Sequence, residues 1–195
     1  MEASALSSRE HARSPSWGRA VLLLPLVWWT FALGSGARTW CFLDYVNLAF
    51  HEAGHLFFGF LGSTVMFLGG SLGQLLVPLA LALNFRLREE RPFGAAVCSW
   101  WVGQNLINIS VYMADARALS LPLVGGGDHD WNELFFRWGT LGEPAVRRIS
   151  GATHGIGLLL MLLALTWSLY YVLPAHHRRS LVIRWPWLTR LVGDD

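Results

Sequence analysis

DYVNLAFHEAGHLFFGF, residues 44–60, decides how this chain is read. Apolar and aromatic residues surround two histidines and a glutamate, His51, Glu52 and His55. Placing a charged carboxylate at a bilayer centre costs about 2.5–3.5 kcal/mol on insertion scales. The run therefore needs a reason for its ionisable groups. Read as a helix at about 100° per residue, it gathers Asp44, Asn47, His51 and His55 within an arc of about 80°. Such a stripe belongs inside a bundle and away from lipid. Interhelical hydrogen bonding explains Asp44 and Asn47 as well as support of a metal site does.

The rest of the composition agrees with a membrane setting. The chain has 195 residues, 53% hydrophobic and 14% charged, against about 25% charged in soluble domains. That length fits one domain. A net charge of +2 and the lack of a basic cluster interleaved with stacking aromatics argue against nucleic acid as a partner. Cys41 and Cys98 lie in apolar runs and read as packing residues.

The pattern predicts an all-α integral membrane bundle of about five spans. Residues 1–18 read as a disordered tail, 19–176 as the membrane-embedded domain, and 177–195 as a basic interfacial tail with Trp185 and Trp187. The expected spans are 20–34, 40–60, 71–88, 93–115 and 152–174. The "GSGA" after the first resembles a signal-cleavage site, but Trp28 and Trp29 favour a retained anchor. The Gly-rich stretch 61–70 is expected to dip into the membrane as a loop, and Pro78 to kink the third span. In the connection 116–147, Trp131, Leu134, Phe135 and Trp138 recur at i, i+3, i+4, i+7, as on a short helix lying at the membrane interface. Five spans would put eight arginines on one side and seven on the other, which leaves orientation unread.

HExxH on a helix has a mechanical meaning. Residues i and i+4 share a face, so His51 and His55 can hold one Zn²⁺ at about 2.0–2.1 Å. Glu52 then sits beside the open position as general base and acid. Composition alone yields such a motif about one time in a hundred in a chain like this, and less often inside a membrane span.

His-Glu-Ala-Gly-His within a transmembrane helix resembles the site-2 protease type of intramembrane zinc metalloprotease. The resemblance implies a few-helix membrane core, Zn²⁺ as cofactor, an Asp from a later segment as third ligand, and membrane-protein or membrane-adjacent peptide substrates in the lipid bilayer. A non-enzymatic metal-binding or structural membrane protein is the alternative, and a hydrolase of lipid or small amides a third.

The Asn-Pro…Asp-Gly segment by which such proteins usually supply the third ligand is absent, so topology guides the search. The second and fourth spans should run parallel. The fourth has its own stripe of Asn105, Asn108, Tyr112 and Asp115, again within about 80°, and a plain packing seam would look alike. The connection carries "GGGDHDWNE". His129 is the favoured third ligand, because imidazole is the commonest zinc ligand, with Asp115 as the alternative. Asp130 with Glu133 matches a D-x-x-E capping box. Asp44, Asn108 and Asp130 are expected to support the ligands from behind. The connection should fold over the mouth of the bundle as a lid hinged at Gly125, Gly126 and Gly127, with Trp131, Phe135 and Trp138 at the membrane surface.

Overall fold

A computed structural model of the protein describes residues 16–89, 91–124, 127–174 and 177–178. The expected tail at 1–15, the hinge glycines Gly125 and Gly126, and the interfacial tail from 179 onward lie outside the described residues. Among those described, six α-helices and no strand are found: α1 Trp17–Gly34, α2 Leu43–Phe58, α3 Ser63–Leu87, α4 Pro92–Asp115, α5 Asp130–Arg137 and α6 Glu143–Tyr170. Local chemistry sets several boundaries. Gly62, at φ +99°, turns the chain into α3. Pro92 opens α4 at a position where its missing N–H costs nothing.

Three helices, α1, α3 and α6, are long and apolar enough to cross a membrane. The expected five spans therefore reduce to three by length and composition. With 16 residues, α2 is about 24 Å long, short of the roughly 30 Å of a hydrocarbon core. The 24 residues of α4 are long enough to cross, but its buried Gln104, Asn105, Ser110 and Asp115 dilute its apolar character.

Two local expectations are corrected. The stretch 61–70 is not a loop, because α3 starts at Ser63 and runs unbroken to Leu87. Its glycines serve close packing: a Cβ on Gly69 would come within 2.8 Å of the Gly54 carbonyl oxygen, and one on Gly73 within 2.9 Å of Gly54 Cα. A sequence reader sees helix-weakening residues, whereas the fold uses them to bring α2 and α3 backbone to backbone. Second, α6 begins at Glu143 rather than near residue 152.

Contacts between helices fix their directions. Ser16 N–H donates to Val172 O, and His154 Nε2 lies 3.1 Å from Gly34 O, so α1 and α6 are antiparallel. Gly103 and Gly157 meet where α4 and α6 cross, also antiparallel with Ser110 facing His154. Arg19 sits over Phe93 and Trp100 Nε1–H donates to Thr30 Oγ1, so α1 and α4 run the same way. The α2 residues Asp44 and Asn47 bond Gln104, while His51 faces Tyr112 further along α4, so α2 also runs parallel to α4.

Consecutive helices α1 and α2 thus point in the same direction. The chain after Gly34 turns at Gly36, φ +73°, and doubles back until Cys41 is buried with Leu23, Leu26, Leu33 and Trp100. As a result α2 starts beside the middle of α4 and ends where α3 begins. It reaches only part of the way along α4, in contrast to the full second span that the sequence suggests.

Candidate metal centre

The site is built on the α2–α3 seam. One turn of α2 places the His51 and His55 rings 4.7 Å apart, centroid to centroid. Each ring is oriented from behind by α3. His51 Nδ1 lies 2.9 Å from Gln74 Oε1, and His55 Nδ1 lies 2.8 Å from Met66 O. Gln74 Nε2–H in turn donates to Asn108 Oδ1 at 3.1 Å, which fixes the amide so that its oxygen faces His51. With an acceptor opposite each Nδ1, that nitrogen carries the proton, and both Nε2 lone pairs point forward.

They point at one carboxylate. Asp130 Oδ2 is 2.8 Å from His51 Nε2 and 3.3 Å from His55 Nε2. Ligand atoms of His51, His55 and Asp130 all lie within 4.8 Å of one another, the one such group among the described residues. Three electron-pair donors facing one another repel unless a proton or a cation sits among them. Gly70 leaves that space clear: a Cβ there would come within 2.5 Å of His51 Nε2 and 2.6 Å of His55 Nε2. Two imidazoles and a carboxylate, with their other nitrogens already bonded, form a donor set suited to a divalent transition metal.

Asp130 arrives on α5, the short helix of the long connection. Trp131, Leu134 and Phe135 are buried against Phe67, Ile109, Met113 and Val146, and Trp131 Nε1–H donates to Ser71 Oγ at 3.1 Å. The connection does fold back over the site, but Trp131 and Phe135 are core residues and not membrane-surface anchors; Phe136 and Trp138 face outward. An amphipathic helix satisfies its apolar face equally with lipid or with protein, and only the packing selects between them.

The favoured ligand, His129, is displaced by one residue. It is the N-cap of α5, with Nδ1 accepting from Asn132 N–H at 3.2 Å. Its Nε2 faces Asp115 Oδ2 at 3.5 Å, an electrostatic contact without a good hydrogen bond. Burial pushes the His129 pKa down, opposed by the Asp115 carboxylate. Asp115, the alternative ligand, is occupied too: it accepts from Ser120 N–H and Oγ–H and from Leu121 N–H, closing the turn after α4. His129 taking the cap frees the Asp130 carboxylate, which the capping-box reading had committed to the backbone. The Asp130 N–H donates to Tyr112 Oη at 3.2 Å, and Asn132 Nδ2–H to Ala116 O at 2.7 Å, so α5 is tied to the end of α4 on both sides of the ligand. Burial raises the Asp130 pKa, but without a metal a proton on His51 or His55 Nε2 donates to the carboxylate, and this outweighs burial and holds the carboxyl below the usual range.

Of the expected supporting residues, Asn108 acts through Gln74, which the sequence did not single out. Asp44 does not reach the histidines. Its carboxylate accepts from Cys41 N–H, Asn47 and Gln104 and joins α2 to α4. Glu52 is half-buried and has no hydrogen bond or ion pair among the described residues. It lines a cavity of about 770 Å³ together with His51, His55, Tyr112, Asp130, Leu121, Leu123 and Asp128. His154 bonds Ser110 and Gly34 and is structural.

No protein-family profile matches the chain, and no curated protein or solved structure is significantly similar to it.

Proposed function

We propose that this protein is a membrane-embedded zinc metalloprotease that cleaves membrane-protein or membrane-adjacent peptide segments. The observation that carries the reading is the convergence of His51 Nε2, His55 Nε2 and Asp130 Oδ2 beside Gly70, with unpartnered Glu52 lining the same cavity. The three donors comply with the His/His/Asp set that the site-2 protease resemblance implies. Three protein ligands facing an open cavity suit a catalytic site better than a closed structural one, which takes four.

A zinc held by His51, His55 and Asp130 would supply Lewis-acid chemistry, lowering the pKa of a water to about 7 and polarising a substrate carbonyl. Glu52, next to the first ligand, takes the proton of the attacking water and returns it to the leaving amine. Tyr112 Oη accepts from Asp130 N–H, which leaves its own proton free to donate to an oxygen that gains charge. Gln74, Met66 and Asn108 hold the imidazoles in one tautomer and orientation.

In the bilayer, α1, α3 and α6 are the apolar spans, and α4, packed along α6, is a fourth crossing. Outward-facing Val21, Leu24, Trp28, Phe31, Leu159 and Leu163 supply a lipid-facing surface. The purified protein should hold about one zinc per chain. Glu52→Gln should keep that zinc and lose cleavage of a membrane-anchored peptide reporter. Loss of zinc in this variant would make Glu52 a ligand and favour the non-enzymatic reading; unchanged cleavage would remove Glu52 from the chemistry.

A further inference from the structure

Resting on the metalloprotease reading, we propose that Leu48 and Val111 form the pocket by which the site selects its substrate, and that this pocket takes an apolar side chain from a residue close to the scissile bond. Tyr45, Leu48, Glu52 and His55 all line the cavity of about 770 Å³. Their spacing of three, four and three residues puts them on one face of α2. The cavity therefore follows α2 for about 15 Å, from His55 back to Tyr45. An extended peptide advances about 3.3 Å per residue, so about four of its residues fit along this face. Leu48 stands one turn, about 6 Å, before Glu52. A peptide with its scissile carbonyl at Glu52 thus brings a residue about two places away beside Leu48.

Val111 comes from the other wall, α4. The two helices run parallel, with Asn47 level with Gln104 and His51 level with Tyr112. Leu48 therefore stands opposite the stretch of α4 that holds Asn108 and Val111, both of which line the cavity. Leu48 and Val111 are only half-buried, and neither packs into the two hydrophobic clusters found among the described residues. Their uncovered apolar surface is turned to the cavity.

The polar groups at this level are engaged within the protein. Asp44 accepts from Cys41 N–H, Asn47 and Gln104, and Asn108 Oδ1 accepts from Gln74. A charged or hydrogen-bonding side chain held between Leu48 and Val111 would give up water without gaining a partner. An acidic one is further disfavoured, because Glu52, Asp128 and Asp130 line the same cavity and, among the described residues, no arginine does. One methylene in an apolar pocket changes kcat/KM by about 10–200-fold. Leucine at the selected position should therefore exceed alanine by at least about 10-fold and aspartate by at least about 100-fold.

The test is a series of membrane-anchored peptide reporters that carry leucine, alanine, tryptophan or aspartate at each of the three positions on either side of the scissile bond. The zinc-loaded protein should show the leucine preference at one position within two residues of that bond. Leu48→Ala widens the pocket and should move the optimum at that position to tryptophan. Val111→Phe narrows it and should move the optimum to alanine. Neither side chain touches the metal ligands' partners, so the zinc content of both variants should equal that of the wild type. Glu52→Gln gives a readout without cleavage: its zinc-loaded form should bind the peptides in the same order of preference. The same order of preference in wild type, Leu48→Ala and Val111→Phe would overturn the pocket while leaving the metalloprotease reading intact, and so would a preference for aspartate. A wild type that cleaves no reporter, beside Glu52→Gln binding in the expected order, would instead sink the metalloprotease reading and leave the pocket standing.

Discussion

Replacing Gly70 with alanine adds one methyl group at the most sensitive point of the site. The new Cβ would stand 2.5 Å from His51 Nε2, 2.6 Å from His51 Cε1 and 2.6 Å from His55 Nε2. Carbon and nitrogen atoms in contact need about 3.5–4.0 Å, so each ring must retreat by about 1 Å. Both rings are held from behind, at 2.9 Å by Gln74 and at 2.8 Å by Met66 O, and retreat compresses those bonds. Zinc sites tolerate about 0.2 Å in ligand distance. Disturbing only an outer partner of a ligand costs 10–100-fold in affinity, and here two ligands move, so zinc affinity should fall by at least about 100-fold. Stability should change far less. Alanine gains about 1 kcal/mol over glycine in a helix, while overpacking costs about 1–3 kcal/mol, for a net loss of about 0–2 kcal/mol. The assay is competition titration of zinc against a chelator of known affinity, with circular dichroism to check that the helices remain. Wild-type zinc affinity in Gly70→Ala would refute the placement of the metal between α2 and α3.

Gln74→Leu removes the acceptor behind His51 and should lower zinc affinity 10–100-fold, with Gln74→Glu restoring most of it; equal affinities in all three proteins would show that His51 needs no such partner. Trp131→Ala should cost about 3–5 kcal/mol as a core truncation and loosen α5, seen as protease cleavage within 116–142 together with zinc loss; cleavage without zinc loss would separate α5 docking from ligand delivery. Zinc occupancy should fall on acidification, because protons compete with the metal for its ligand atoms. The Asp130 pKa is lowered in the fold, so its contribution to α5 docking is present above the unfolded carboxylate value and fades only as pH falls through the lower folded value. Limited proteolysis at pH 5 should therefore find α5 still docked after the metal has left, and release of α5 along with the zinc would contradict this order.

Helical class and the two-histidine face were legible in the chain because both follow from local periodicity. The apolar runs specify helices, and i, i+4 spacing puts His51 and His55 together whatever surrounds them. Asp130 was legible as a residue but not as a candidate ligand. Two neighbouring side chains, His129 and Asp130, could each cap α5, and a shift of one residue decides which is left free to face the histidines. That choice depends on Tyr112, Asp115 and Ala116 at the end of α4, more than ten residues away in sequence. Gly69, Gly70 and Gly73 have opposite meanings in isolation and in contact: alone they weaken a helix, whereas in the fold Gly69 and Gly73 permit close approach to Gly54 and Gly70 leaves room for the His51 and His55 rings. The direction of α2 was least legible of all. An apolar stretch of about 20 residues reads as a span, and no local signal tells that the chain after Gly34 doubles back to bury Cys41 beside Leu23 and Leu26. Chain direction is set by which surfaces pack together over long separations, and that information exists only in the tertiary structure.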